Sequence, residues 1–126
     1  MSAGDDINLS QAAAAERKFH NQRMEHADFD QAPFTIAWEV TRACAFACVH
    51  CRADAQPKPH PDELTTKEAL HLIDQLQQFG NNPILIFTGG DPMLRRDLYE
   101  LISYAAEKGL RCSLTPTATG LPTRER

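Results

Sequence analysis

The sequence predicts an α/β fold built from parallel βαβαβ units, and three observations carry that reading. Short runs rich in β-branched and aromatic residues recur at 34–40, 83–88 and 110–115. Between them lie two stretches with apolar residues at helical spacing, 63–79 and 97–108. Connections that hold a whole helix join parallel strands by right-handed crossovers, since a hairpin needs only a few residues.

Each element has its own signals. The first strand follows Pro33 and runs straight into a cysteine-rich segment. The first helix of the pattern is introduced by Thr65 with Glu68, the spacing of a capping box. Ala69, Leu72, Ile73, Leu76 and Phe79 share one face of it, and Gly80 stops it. The second strand is a continuous apolar run between Asn81-Asn82 and Gly89-Gly90, a pattern expected where both faces are covered. The second helix begins at Asp97, with Glu100 completing a cap. Leu98, Leu101, Ile102 and Ala105 face inward, and Gly109 terminates it. The third strand ends in alternating threonines, Thr115, Thr117 and Thr119, followed at 123–126 by what reads as the first turn of a further helix. Residues 1–32 are polar, alanine-rich and without an apolar stripe, which predicts a mobile or weakly helical tail with a short helix around 11–20. Three parallel strands and two helices leave open edges, so residues 33–126 are expected to be the front portion of a larger sheet or barrel.

Composition narrows the function. The 126 residues suit one domain with an ordinary core, and a formal net charge of -4 with scattered Lys and Arg offers no basic stripe for phosphates, so no nucleic-acid partner is expected. The acidic start and the lack of a long apolar run predict neither secretion signal nor membrane span, hence a cytoplasmic protein. In that reducing compartment disulfides rarely persist, so four cysteines, three of them within eight positions, point to metal.

Those three are Cys44, Cys48 and Cys51, spaced by four and then three, so that a wrapped loop or helical turn can bring all three sulfurs to one side. A 4Fe-4S cubane held by only three thiolates leaves one iron open to another ligand. The rival is a structural zinc site completed by His50, His60 or Cys112, making the chain an interaction module. It is disfavoured by the adjacency of His50 and Cys51 and by the lack of a second Cys-x-x-Cys pair. An iron-sulfur electron carrier is a further alternative.

The Cys-x3-Cys-x2-Cys triad at the end of a first strand resembles the signature of the radical S-adenosylmethionine superfamily. The longer string Trp38-Glu39-Val40-Thr41-Arg42-Ala43-Cys44 resembles its subgroup of haem, cofactor and peptide-maturation (SPASM-type) enzymes. The resemblance implies a partial (β/α) barrel, a 4Fe-4S cluster on Cys44, Cys48 and Cys51, and S-adenosyl-L-methionine as cosubstrate. It also implies reductive cleavage to a 5′-deoxyadenosyl radical, a small-molecule or peptide substrate, and a reductant such as a flavodoxin or ferredoxin. It implies that His50 lies near the adenine, and that Gly89, Gly90 and Asp91, a glycine-glycine-acid motif with aspartate for the more usual glutamate, bind the methionine amino group. A chain of this extent is expected to be a poor catalyst alone.

The remaining candidates are weaker. Paired glycines let backbone approach a ligand closely, but most such turns only reverse the chain. Thr115, Thr117 and Thr119 offer hydroxyls to a ribose or carboxylate at the rim where parallel α/β folds bind ligands. Cys112 reads as a packed thiol inside a strand, His60 as a loop residue between prolines, and Arg42, Arg95 and Arg96 as surface charges available to an anionic substrate.

Overall fold

The computed structural model describes residues 9–117. The expectations for Thr119 and for a helical turn at 123–126 lie outside them. The chain divides into two compact units, Met1–Gln31 and Ala32–Arg126. The first holds one helix, α1 (Leu9–Glu25), longer than the short helix expected around residues 11–20.

The second unit alternates strand and helix: β1 (Thr35–Thr41), α2 (Thr66–Leu76), β2 (Ile84–Gly89), a single 3-10 turn (Pro92–Leu94), α3 (Leu98–Glu107) and β3 (Arg111–Leu114). The strands form one parallel sheet in the order β1-β2-β3. The fold class is therefore α/β, as the alternation of periods predicts.

The caps show which sequence signals act as read. The Thr65–Glu68 box is formed in both directions: the Thr65 hydroxyl accepts from the Glu68 N–H at 3.3 Å, and the Glu68 carboxylate accepts from the Thr65 N–H at 2.8 Å. Those bonds hold the Glu68 carboxyl below the usual carboxylate range, the backbone bond most of all. Gly109 ends α3 at φ +83°, while its N–H donates to Ala106 and that of Leu110 to Ala105, the paired closure of a left-handed helix terminus. Asp97 differs from expectation. It stands at the N-cap of α3, but its carboxylate makes no cap bond, because it turns to Arg95 and Thr66.

One face of the sheet carries the core. Val40, Leu85 and Phe87 from the strands meet Ala69 and Ile73 of α2 and Leu98, Leu101 and Ala105 of α3, with Leu110 closing the layer. Trp38 packs its ring 5.6 Å from that of Phe87. From α2, Leu70 rather than Leu72 joins this cluster alongside Leu76. Each fully buried large side chain contributes roughly 1.5–3 kcal/mol of transfer free energy. The other face is less covered than the continuous apolar run suggests: Leu85 and Phe87 are fully buried, but Ile84 and Ile86, which point the opposite way, are only half-buried. Both crossovers run on the same side of a sheet ordered 1-2-3, so among the described residues both helices cover one face. Cys112 is half-buried in β3 against the core, and burial pushes its thiol pKa up, as suits a packing residue.

Candidate functional site

The strand ends that point toward the same rim are stitched together by main-chain hydrogen bonds. Leaving β1, the carbonyl of Thr41 accepts from the Gly90 N–H at 2.9 Å and that of Ala43 from the Asp91 N–H at 2.7 Å. On the opposite side of this segment the Gln56 N–H donates to the Arg42 carbonyl and the Cys44 N–H to the Gln56 carbonyl, both at 2.8 Å, so that Ala43 and Gln56 form a parallel bridge. The Thr41 hydroxyl accepts from the Ala43 N–H at 3.2 Å. Residues 41–44, the stem of the cysteine loop, thus lie between the end of β2 and Gln56, and the loop that carries the cysteines is closed at its base.

This contact explains the two glycines. A Cβ on Gly89 would run into the Thr41 carbonyl oxygen, and Gly89 sits at φ +143°, where L side chains are rarely found. A Cβ on Gly90 would collide with the Ala43 carbonyl oxygen and stand 2.6 Å from that of Arg42. The glycines are required first by the close passage of the cysteine-loop stem. The close approach that the paired glycines permit here is to the chain's own backbone.

Asp91 is buried, with 1% of its surface exposed. One carboxylate oxygen accepts from the Met93 N–H at 3.1 Å, which caps the 3-10 turn, and the other from the Thr117 hydroxyl at 2.9 Å. The candidates Asp91 and Thr117 are therefore brought together, and Asp91 links all three strand ends through Ala43, Met93 and Thr117. Thr115 instead directs both its N–H and its hydroxyl to the Phe87 carbonyl, at 3.1 and 3.3 Å, extending the β2–β3 pairing.

Within the loop, Cys44 is half-buried at the stem, while Cys48, His50 and Cys51 are exposed. The Cys44 sulfur accepts from the Phe46 N–H and the Cys51 sulfur from the Ala55 N–H, each at 3.4 Å, and the Cys51 N–H donates to the Cys48 carbonyl at 3.2 Å. None of the three is in a disulfide. As a donor set they fit a cluster: three thiols on one loop, two with N–H groups directed at sulfur, the kind of bond that tunes cluster thiolates. Among the described residues no three Cys, His, Asp or Glu side chains stand close enough to hold a metal ion. The physical reason is that like groups on an exposed loop have nothing to draw them together until a metal does so, and such sites commonly complete their folding on binding. The same observation gives no support to a zinc site with His50, His60 or Cys112. His60 shapes the turn before α2, where its ring nitrogen accepts from the Asp62 N–H at 3.0 Å.

Two residues matter more than the sequence suggests. Gln56 closes the loop through main-chain atoms, which leave no mark in residue type. Arg95, read as a surface charge, is buried among Val40, Glu63, Leu64 and Asp97. Arg42 and Arg96 are exposed.

The profile of the radical SAM superfamily matches residues 38–125, from β1 through all three cysteines and the glycine turn. The chain is 63% identical over 84 residues to a protein named AdoMet-dependent heme synthase from Oleidesulfovibrio alaskensis, covering 67% of this chain and 21% of that one. It is 44% identical over 84 residues to Fe-coproporphyrin III synthase from Methanosarcina barkeri, with the same two coverages. It is 40% identical over 74 residues to mycofactocin maturase MftC from Mycobacterium ulcerans, covering 59% of this chain and 20% of the relative. The chain thus spans about a fifth of the length of these curated relatives. No solved structure matches it. With this profile running across the cysteine loop, its stem and the glycine turn pinned to that stem, the chain belongs to the radical SAM superfamily, whose members bind a 4Fe-4S cluster and S-adenosylmethionine.

Proposed function

We propose that residues 33–126 form the opening part of the catalytic core of a radical SAM enzyme, with Cys44, Cys48 and Cys51 holding the 4Fe-4S cluster. The observation that carries the reading is the family match over residues 38–125, which contains both motifs in one continuous stretch. When bound and reduced, the cluster supplies the electron that cleaves S-adenosylmethionine to methionine and a 5′-deoxyadenosyl radical, which takes a hydrogen atom from the substrate.

The chain's own residues have the remaining tasks. The pinned stem at 41–44 holds Cys44 beside the end of β2, while Cys48 and Cys51 close in from the exposed part of the loop. With the Gly90 and Asp91 N–H groups turned to the stem, the glycine turn addresses the cosubstrate's amino group through carbonyl oxygens, which suit an ammonium donor. Asp91 contributes charge nearby while fixing the Thr117 loop. His50, exposed one position before Cys51, is free to swing over the adenine. Two of the relatives described above are named for haem or iron-coproporphyrin synthesis and match at higher identity than the maturase, which favours a tetrapyrrole over a peptide as substrate.

The test is cosubstrate binding to the anaerobically reconstituted chain. Addition of S-adenosylmethionine should shift the electron paramagnetic resonance spectrum of the reduced cluster. An unchanged spectrum with a saturating amount of cosubstrate contradicts the reading and favours a simple electron carrier.

A further inference from the structure

Arg95 is a buried cation whose full set of donors is engaged inside the fold. Its Nε donates to Asp97 Oδ1 at 2.6 Å, one terminal nitrogen to the Val40 carbonyl at 2.9 Å and Glu63 Oε1 at 3.4 Å, and the other to the Leu64 carbonyl at 2.8 Å and Asp97 Oδ2 at 3.0 Å. A guanidinium has five N–H donors, and five acceptors are present. The side chain is 5% exposed. No donor is left for a substrate anion, which removes Arg95 from the anion-binding role considered for it.

The acceptors show what the residue is for. β1 and β2 pair in register up to Glu39 with Thr88 and resume one residue out of step at Thr41 with Gly89, so Val40 is the extra residue of a bulge. A bulge bends its strand and leaves a residue outside the ladder, and bulges recur where a strand must be re-aimed at a site. Here the strand beyond the bulge is the stem of the cysteine loop, and Arg95 takes the carbonyl of the bulged residue. Leu64 and Glu63 anchor the same guanidinium to the entry of α2, and Asp97 anchors it to the entry of α3. Asp97 holds Arg95 and leaves α3 without a side-chain cap. The Thr66 hydroxyl braces it there at 2.6 Å. Glu63 adds a second carboxylate whose Oε2 is buried without a hydrogen-bond partner among the described residues. A buried ionic hub of this kind is a weak source of net stability compared with apolar packing, and its best-attested use is to fix a register.

We infer that Arg95 is a positioning residue for the cluster site: by holding the bulged Val40 carbonyl against the entries of α2 and α3, it sets the direction in which β1 delivers Thr41–Cys44 to the rim. The inference rests on the reading that Cys44, Cys48 and Cys51 hold a cluster. It assigns Arg95 no contact with cluster or cosubstrate.

The experiment compares the full chain with R95K, D97N and Y104F after anaerobic reconstitution. R95K keeps the charge and loses the planar five-donor geometry. D97N keeps the shape and weakens the grip on Arg95. Y104F removes the Tyr104–Asp74 hydrogen bond of 2.7 Å on the outer helices, a structural control away from the rim. Iron release to a chelator, the electron paramagnetic resonance spectrum of the reduced cluster and the thermal unfolding midpoint are read for each. R95K and D97N should release iron on the order of tenfold faster than the parent, the lower end of what outer-shell changes cost a metal site, with an altered spectrum. Y104F should lower the midpoint without either change. Parental release rates and spectra in both R95K and D97N, or equal acceleration in Y104F, overturn the inference. If R95K does not fold, D97N alone decides by the same criteria. A parent chain that takes up no iron overturns the functional reading and this inference with it, an outcome distinct from parental behaviour of the variants.

Discussion

The hydroxyl of Thr117 donates to the carboxylate of Asp91 at 2.9 Å, joining the loop after β3 to the turn after β2 at the same rim that holds the cysteine-loop stem. Removing the carboxylate strands two donors at once, since the Met93 N–H uses its other oxygen. Asp91→Ala should therefore destabilise the chain by roughly 1–3 kcal/mol. Asp91→Asn keeps an acceptor for Met93 and offers its amide to the Thr117 oxygen, so it should cost less. Urea denaturation of the three proteins checks the order, and equal midpoints for parent and Asp91→Ala would sink it.

Gly89 and Gly90 answer to backbone atoms rather than to flexible side chains. Alanine at either position should cost on the order of 2–4 kcal/mol, with backbone strain adding to the clash at Gly89. Gly80 has open space where its Cβ would lie, so Gly80→Ala should be neutral or stabilise by up to about 1 kcal/mol. Chemical denaturation of the three variants gives the comparison, and a Gly90→Ala protein as stable as Gly80→Ala would contradict the close approach described here.

Asp97 gives stability a pH dependence of known sign. Burial opposes its ionisation, but hydrogen bonds from Arg95 and Thr66 and the charge of Arg95 outweigh it, and its pKa lies below the ordinary value. A carboxyl with a lower pKa folded than unfolded stabilises fully above the unfolded value and loses that contribution as pH falls through the folded one. The chain without cluster should therefore lose stability as acid is added between roughly pH 5 and pH 2, and D97N should show a shallower fall over that window. Parallel profiles for the two proteins, from urea midpoints at stepped pH, would show that Asp97 is not a contributor.

The capping box at α2 allows a simpler check. Thr65→Ala removes the acceptor of the Glu68 N–H and the hydroxyl donor to its carboxylate, while the Thr65 N–H bond to that carboxylate remains, and should cost about 1 kcal/mol by thermal or urea unfolding.

Much of this architecture is legible in residue order because its causes are local. The Thr65–Glu68 box, the Gly109 terminator and the alternation of two hydrophobic periods follow from neighbours within a few positions. What the sequence leaves hidden depends mostly on partners far along the chain. Asp97 looks like a cap because residue order does not reveal that the neighbouring Arg95 and the distant Thr66 claim its oxygens. Arg95 looks like a surface charge because two of its five acceptors are the carbonyls of Val40 and Leu64, which are the same for every residue type, and a third is the distant carboxylate of Glu63. Gly89 and Gly90 are visible as a turn, but their collision partners, the carbonyls of Thr41, Arg42 and Ala43, appear only once β1 and β2 are paired. The cysteine spacing marks a metal site without fixing the loop, since exposed Cys48 and Cys51 are held by few contacts of their own.

A cubane held by three cysteines with one iron open to S-adenosylmethionine is visible to Mössbauer spectroscopy of the chain reconstituted with isotopic iron. Four irons per chain should be found, one of which changes its signal when the cosubstrate is added. C44A, C48A and C51A should each lose the cluster. Four irons that all ignore the cosubstrate, or unchanged iron content in the three variants, would contradict this arrangement.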